Sequence, residues 1–425
     1  MAREALARRR CSQGAPRLAV AGFRPASPQT TQKSTFQSTG ADVACSPTTG
    51  KWKTGTKAVR RGFSLLELLL VGAIVVGLVG LLLGAVQSVR ESSRRLSCAH
   101  KLRQLGVGLM LHHDARGFFP PSMGGSDSFS THTWGTPPEW KPFPRPGFGA
   151  ASAYVFLLPY IGEDSLHTAI EAAGRPVFFS DIYMSARLPS LLCPSDVAPR
   201  SHNYLFSIGD RFTGFWPPGL VPPAKDVEFQ AGLRGLFGLQ SRVRIASIED
   251  GLSQTIAMSE GVRPTGLGIV PAGRAVAGVT YTGVDGEAVT NDRFAVAWSG
   301  SESPSACLAS FVGGRFREGS ILLVTNRSPG HHWNYGRPSF VGFATVLPPN
   351  GPRCNHFIVQ GSLTPQSRHP GGVMALMADG AVRFVTDDID SGDPAAVDHT
   401  TGPSPYGIWG AMGSRSGHEA TPLLP

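Results

Sequence analysis

From Leu68 to Val86 the chain runs through 19 consecutive residues that are apolar or Gly, and after Glu67 no charge returns until Arg90. Wound as a helix, such a stretch reaches about 30 Å, the thickness of a bilayer's hydrocarbon core. The segment can therefore cross a membrane. Glu67 stands at its leading edge, where a carboxylate costs about 2.5–3.5 kcal/mol even on lenient insertion scales, so it needs a partner or a function.

The formal charge of +9 is not evenly spread. Residues 1–62 hold 12 of the 39 Lys/Arg and 2 of the 30 Asp/Glu, which leaves the rest of the chain at −1. A nucleic-acid footprint needs clustered cations on the folded part, and these lie ahead of it. No nucleic-acid partner is expected. Residues 1–62 are rich in Ala, Ser, Thr, Gln, Gly and Arg without a hydrophobic period, and read as a leader that is disordered or removed. Their length also fits a start codon placed upstream of the true one. Positive charge ahead of the span puts the N-terminus in the cytoplasm and the C-terminal part outside, as a single-pass protein of the cytoplasmic membrane.

Beyond the span, Leu96, Leu102, Leu105 and Leu109 recur at helical intervals with charges between them, so one helix is expected from about Ser64 to about Asp114. Pro120 and Pro121 cannot continue it. After them come short apolar runs punctuated by Gly, Pro, Ser and Asn, among them YVFLLPYI, GSILLVT and FVGFATVL, which read as strands. Long loops are expected over 122–150 and 213–235. The domains so drawn are a leader (1–62), a transmembrane and stalk helix (63–115) and an extracytoplasmic β-rich domain (116–425).

Four of the six cysteines, Cys98, Cys193, Cys307 and Cys354, lie beyond the leader. Two disulfides in three connectivities are open to them, and free thiols as well. No GxSxG, HExxH or CxxC occurs, so no catalytic residue is assigned and the chain is not expected to be an enzyme. His369 and Asp379 fit a hairpin better than a catalytic pair: strand 373–377, a turn at Asp379-Gly380, strand 381–385. The pairs His112-His113 and His331-His332 lack a third ligand at regular spacing, so no metal ligands are assigned and no cofactor is required. The run Asp387 to Asp393 suits Ca²⁺ but reads more simply as a solvated acidic loop. Ala73, Gly77, Gly80 and Gly84 place small residues on one face of the span, where another helix can approach closely.

The stretch Arg60-Arg61-Gly62-Phe63, followed by Ser-Leu-Leu-Glu and the apolar run, resembles the signal of type IV pilins and pseudopilins. The resemblance implies cleavage after Gly62 by a prepilin peptidase, methylation of Phe63, and pairing of the new amine with Glu67 of a neighbouring subunit. Further on, SCAHKLRQLGVGLMLHHDARGFFPPS, LPSLLCPSD, SIEDGLSQTIAMSEG and SRHPGGVMALMADGAVRFV resemble the DUF1559 family of pseudopilin-like proteins, with its H-x9-DG element at His369, Asp379 and Gly380. Gln254 departs from the family's usual Asn. Because Cys98 and Cys193 both lie in motifs shared with that family, the resemblance implies that they pair. It also implies an α+β fold: a long N-terminal transmembrane and stalk helix, then a mainly antiparallel, pilin-like β domain. The partners so implied are the prepilin peptidase, the membrane, and other pilin-like subunits through the N-terminal helix. The rival expectation is a monomeric, membrane-anchored binding or hydrolytic domain that uses the signal only for export.

Overall fold

The computed structural model describes residues 62, 64–124, 151–173, 186–196, 202–213, 234–238, 241–270, 275–276, 279–282, 286–324, 328–356 and 360–419. The expected leader apart from Gly62, together with Phe63 and most of both expected long loops, lies outside the described residues. Leu69–Pro425 forms one compact unit.

A single helix of 52 residues, Leu65–Arg116, opens the described chain. Its start is built locally. Ser64 Oγ accepts from the N–H of Leu66 at 3.3 Å, while the Glu67 carboxylate accepts from the N–H of Ser64 at 2.9 Å. This is a capping box, in which Ser and a Glu three residues on satisfy amides that the helix leaves open. The helix ends at Arg116, two residues past the expected Asp114 and ahead of Pro120. Gly117 takes φ +79° and donates its N–H to His113 O at 2.6 Å, closing the last turn in a left-handed cap. Residues 65–90 are exposed, including the whole apolar run. Further along, Cys98, Leu102, Leu105 and Leu109 are buried on one face, whereas Leu96, expected among them, is 71% exposed. Leu96 lies off the Cys98–Leu102–Leu105–Leu109 stripe, which alone meets the domain.

That stripe packs on a five-stranded sheet. Its order is Gly342–Phe343, Tyr204–Ser207, Ile256–Glu260, Gly372–Met377, Val382–Thr386. All six residues of Gly372–Met377 are buried, because the sheet is covered on both faces. Met374 and Leu376 join the cluster that holds Leu102 and Leu105. Val373, Ala375 and Met377 point the other way, into a cluster with Trp409 and Met412 of the short helix Gly407–Gly413. This is the period of two that a doubly covered strand displays. Trp409 Nε1 donates to Leu347 O at 2.8 Å, so its polar atom is satisfied within the core.

A second sheet has six strands in the order Gln360–Ser362, Arg353–His356, Val296–Ala297, Ile321–Leu323, Val279–Thr282, Ala275–Val276. Its core includes Cys307 and Cys354, which are bonded to each other. The α+β class holds, and both large sheets are mixed, with parallel pairs among the antiparallel ones. Parallel pairing joins Gly342–Phe343 to Tyr204–Ser207, Arg353–His356 to Val296–Ala297, and Ile321–Leu323 to Val279–Thr282. Parallel neighbours arise from long crossovers, which apolar runs and turn signals do not reveal.

Candidate functional site

The hairpin at the end of the first sheet is set by short-range chemistry. Gly372–Met377 pairs antiparallel with Val382–Thr386, and between them Asp379 Oδ1 accepts the N–H of Ala381 at 2.8 Å while Gly380 takes φ +87°. The turn is pinned from outside by N–H bonds from Ala378 to Thr255 O and from Asp379 to Leu252 O. It also abuts the long helix at Gly106, where an added Cβ would stand 2.9 Å from Leu376 Cδ1 and 3.6 Å from Gly380 Cα.

At the other end of the same strand stands His369, with no exposed surface. Nδ1 donates to Glu91 Oε1 at 2.6 Å, and Nε2 lies 3.3 Å from Glu260 Oε1 and 3.6 Å from Cys193 Sγ. Glu260 ends its strand, is 2% exposed, and takes the N–H of Met374 on Oε2 at 2.9 Å. Its Oε1 is the oxygen that faces His369 Nε2. Glu91 belongs to the long helix and is held by Arg94 at 2.8 Å. Cys98, seven residues on, is bonded to Cys193 across a Cα separation of 5.2 Å. Arg95, between them, donates to Pro370 O at 3.1 Å and lays its guanidinium over the Phe384 ring at 4.3 Å. Glu91, Arg95 and Cys98 follow i, i+4, i+7 spacing, so one helix face meets the His369 loop.

Cys193 is fixed by its own neighbours. Its N–H donates to Asn203 Oδ1 at 2.9 Å, and Asn203 Nδ2 donates to Asp196 Oδ2 at 2.6 Å. Arg368, one residue before the histidine, reaches Asp196 Oδ1 at 3.4 Å. Lys101 donates to Pro189 O at 3.0 Å and Leu192 O at 2.7 Å, tying the helix to the turn before the cysteine. A cleft of about 410 Å³, lined by Lys101, Arg187, Cys193, Asp196 and Asn203 among others, opens here. Cys193 is 7% exposed and Cys98 fully buried.

The electrostatics follow from this packing. Burial works against charge on His369, but the carboxylates of Glu260 and Glu91 more than offset it and raise the imidazole above its ordinary value. Burial likewise works against the Glu91 carboxylate, and His369 with Arg94 outweigh it, lowering that group. Two carboxylates and the Cys193 sulfur stand against the imidazole, while the nearby hydroxyl of Ser367 accepts the His369 backbone N–H at 3.0 Å instead. Among the described residues, the group of His, Cys, Asp and Glu with metal-ligand spacing is Cys98, Cys193, Glu260 and His369, whose ligand atoms lie within 4.8 Å of one another. With the sulfurs bonded to each other, two of those four donors are withheld.

The other residues singled out from the sequence are placed apart. Gly62 is exposed, and a Cβ there would meet nothing within 4 Å. His112 Nδ1 bonds Phe118 O at 3.0 Å, and His113 Nε2 accepts the N–H of Ile245 at 3.3 Å, so both serve the helix end. His331 and His332 bond each other at 2.8 Å, and burial holds His332 down at about 4. In the acidic run, Asp390 and Asp393 each accept an N–H two residues on, and Asp387 accepts from Asn350. Two of those carboxylates are used by turns and the third by a contact 37 residues away in the chain. Glu91 and Glu260 escaped the sequence reading; the only trace of Glu91 was its place two helical turns before Cys98.

No curated protein and no solved structure matches this chain. The model of the family described as a protein of unknown function, DUF1559, matches residues 87–392, which take in Glu91, both joined cysteines, Glu260, His369 and the Asp379-Gly380 turn, and the chain belongs to that family.

Proposed function

We propose that this is a pilin- or pseudopilin-like subunit, held in the cytoplasmic membrane by its N-terminal helix with the β domain outside, processed after Gly62 and able to join a filament or secretion pseudopilus. The observation that carries the reading is the division of labour along one helix. Among the described residues it is the helix long and apolar enough to cross a membrane, its apolar half is wholly exposed, and its second half is built into the domain core. The Arg60-Arg61-Gly62-Phe63 signal ahead of it supports processing. Since Gly77, Gly80 and Gly84 have open space at their Cβ positions, they suit close approach of a second helix.

Glu67 then has two roles to separate: the capping bond to Ser64, and neutralisation of a neighbour's Phe63 amine. Glu67→Gln separates them, because Gln also completes a capping box but carries no charge. With a cysteine placed at Gly80 as cross-linking reporter, Glu67→Gln should insert and be processed like the parent yet lose cross-linked dimers, since an unpaired buried amine costs about 3–5 kcal/mol. If Glu67→Gln cross-links as well as the parent, the carboxylate is a cap, and the monomeric anchored domain replaces the filament subunit. Mass spectrometry of the extracted protein should find N-methyl-Phe63 as its first residue; an intact leader in a peptidase-competent host would contradict processing.

A further inference from the structure

We propose that Cys98, Cys193, His369 and Glu260 form a zinc-type metal site when the Cys98–Cys193 disulfide is reduced, so that the helix is clasped to the domain either by a covalent bond or by a metal ion. Two of the distances already in place are those of such a site, and all four ligand atoms lie within 4.8 Å of one another. With Zn–S near 2.3 Å and Zn–N or Zn–O near 2.0–2.2 Å, adjacent ligand atoms of a tetrahedron stand about 3.3–3.8 Å apart. His369 Nε2 is 3.6 Å from Cys193 Sγ and 3.3 Å from Glu260 Oε1. Only the two sulfurs are too close, because they are bonded; opening that bond lets them separate to ligand spacing.

The surroundings are those that orient metal ligands. Nδ1–H of His369 points to the Glu91 carboxylate at 2.6 Å, which fixes the ring and leaves Nε2 as the nitrogen that faces the other donors. Arg94 holds Glu91 in turn. Met374 N–H occupies Oε2 of Glu260, while Oε1, buried, stands 3.3 Å from His369 Nε2. Three electron-rich atoms thus converge on one buried point. Two thiolates, an imidazole and a carboxylate form a borderline-soft set that selects Zn²⁺ or Co²⁺ over Ca²⁺ or Mg²⁺.

The chemistry balances with a dithiol or glutathione-class reductant. The disulfide takes two electrons and two protons to give two thiols; metal binding releases those two protons as the thiols become thiolates. The net change is disulfide plus two electrons plus M²⁺ giving a metal dithiolate. Attack is directed at Cys193, the sulfur-bearing residue that borders the cleft, with Cys98 as leaving group.

Two measurements on the full chain in detergent test this. In a glutathione redox buffer, added Zn²⁺ should raise the ratio of alkylatable to oxidised Cys98 and Cys193 at least tenfold while leaving Cys307 and Cys354 unchanged. Under a phosphine reductant, one equivalent of Co²⁺ should develop the intense visible absorption of tetrahedral thiolate coordination. That absorption should be lost in the Cys98→Ala/Cys193→Ala variant and bind about 10–100-fold more weakly in Glu91→Gln, whose change lies only in the support of the histidine. A redox ratio indifferent to Zn²⁺, or a Co²⁺ spectrum that survives removal of both cysteines, would overturn the site. Neither readout depends on assembly, so failure here leaves the filament reading standing, and the converse also holds.

Discussion

At the residue scale, two glycines separate conformational cost from steric cost. Gly380 needs φ +87° but has open space around its Cβ position, so Gly380→Ala should destabilise by about 1–2 kcal/mol, the strain of a left-handed Ala alone. Gly361, at φ +133°, would drive a Cβ to 2.0 Å from Cys354 O, so Gly361→Ala should cost clearly more. Urea titration of both variants checks the order, and equal losses would contradict it. Two histidines set an acid limit. Burial holds His202 and His332 down at about 4; the first also feels His332 and Arg353, the second Arg263. Both are neutral in the native state at pH 7, so the unfolded chain takes up protons that the native chain refuses as pH falls from 6.5 toward 4. Each should withdraw on the order of 3 kcal/mol across that window and nothing above it. His202→Gln, which can still donate to Phe340 O, should flatten the loss by about half; an unchanged pH slope would refute the assignment.

At the element scale, the long helix is joined to the domain by several kinds of contact at once. The Cys98–Cys193 bond closes a loop of 95 residues and Cys307–Cys354 one of 47. In the chain-entropy picture these contribute similar amounts, about 4–5 kcal/mol each. Their local effects should differ. Removing Cys98–Cys193 should expose the stretch around Glu91 to limited proteolysis first, whereas removing Cys307–Cys354 should loosen the six-stranded sheet. Fragment mapping distinguishes these, and the same first cut in both variants would count against them. Arg353 shows the same logic inside that sheet: fully buried, it donates to the carbonyls of Thr364, Pro338, Ser339 and Gly342. Arg353→Met would remove a buried donor shared by four carbonyls, and a loss of about 3–5 kcal/mol is expected by denaturant unfolding. Nothing in the string around Arg353 marks it as buried, since an arginine in a Pro- and Gly-rich stretch reads as surface.

At the scale of the whole molecule, the exposed apolar half of the helix should be dispensable for folding. A chain beginning at Arg90 keeps Glu91, Cys98 and the entire buried stripe, so it should melt within a few degrees of the full chain and stay soluble without detergent. A large drop in melting temperature would show that the span supports the domain. The sequence by itself determined the membrane-length helix, its start near Ser64, and the Asp379-Gly380 hairpin. Each rests on contacts within a few residues, where periodicity and turn chemistry are decisive. The serine and glutamate of the capping box were equally local, and Glu67 was read for its charge rather than its reach. Only the tertiary structure decided that Leu96 faces water, that the sheets admit parallel neighbours, and that Glu91, Glu260 and the joined cysteines surround His369. His369 meets Glu91 across 278 residues of chain. A contact at that distance is selected by the packing of helix on sheet, which places both groups at one end of one strand, and no local pattern encodes where that packing will bring them.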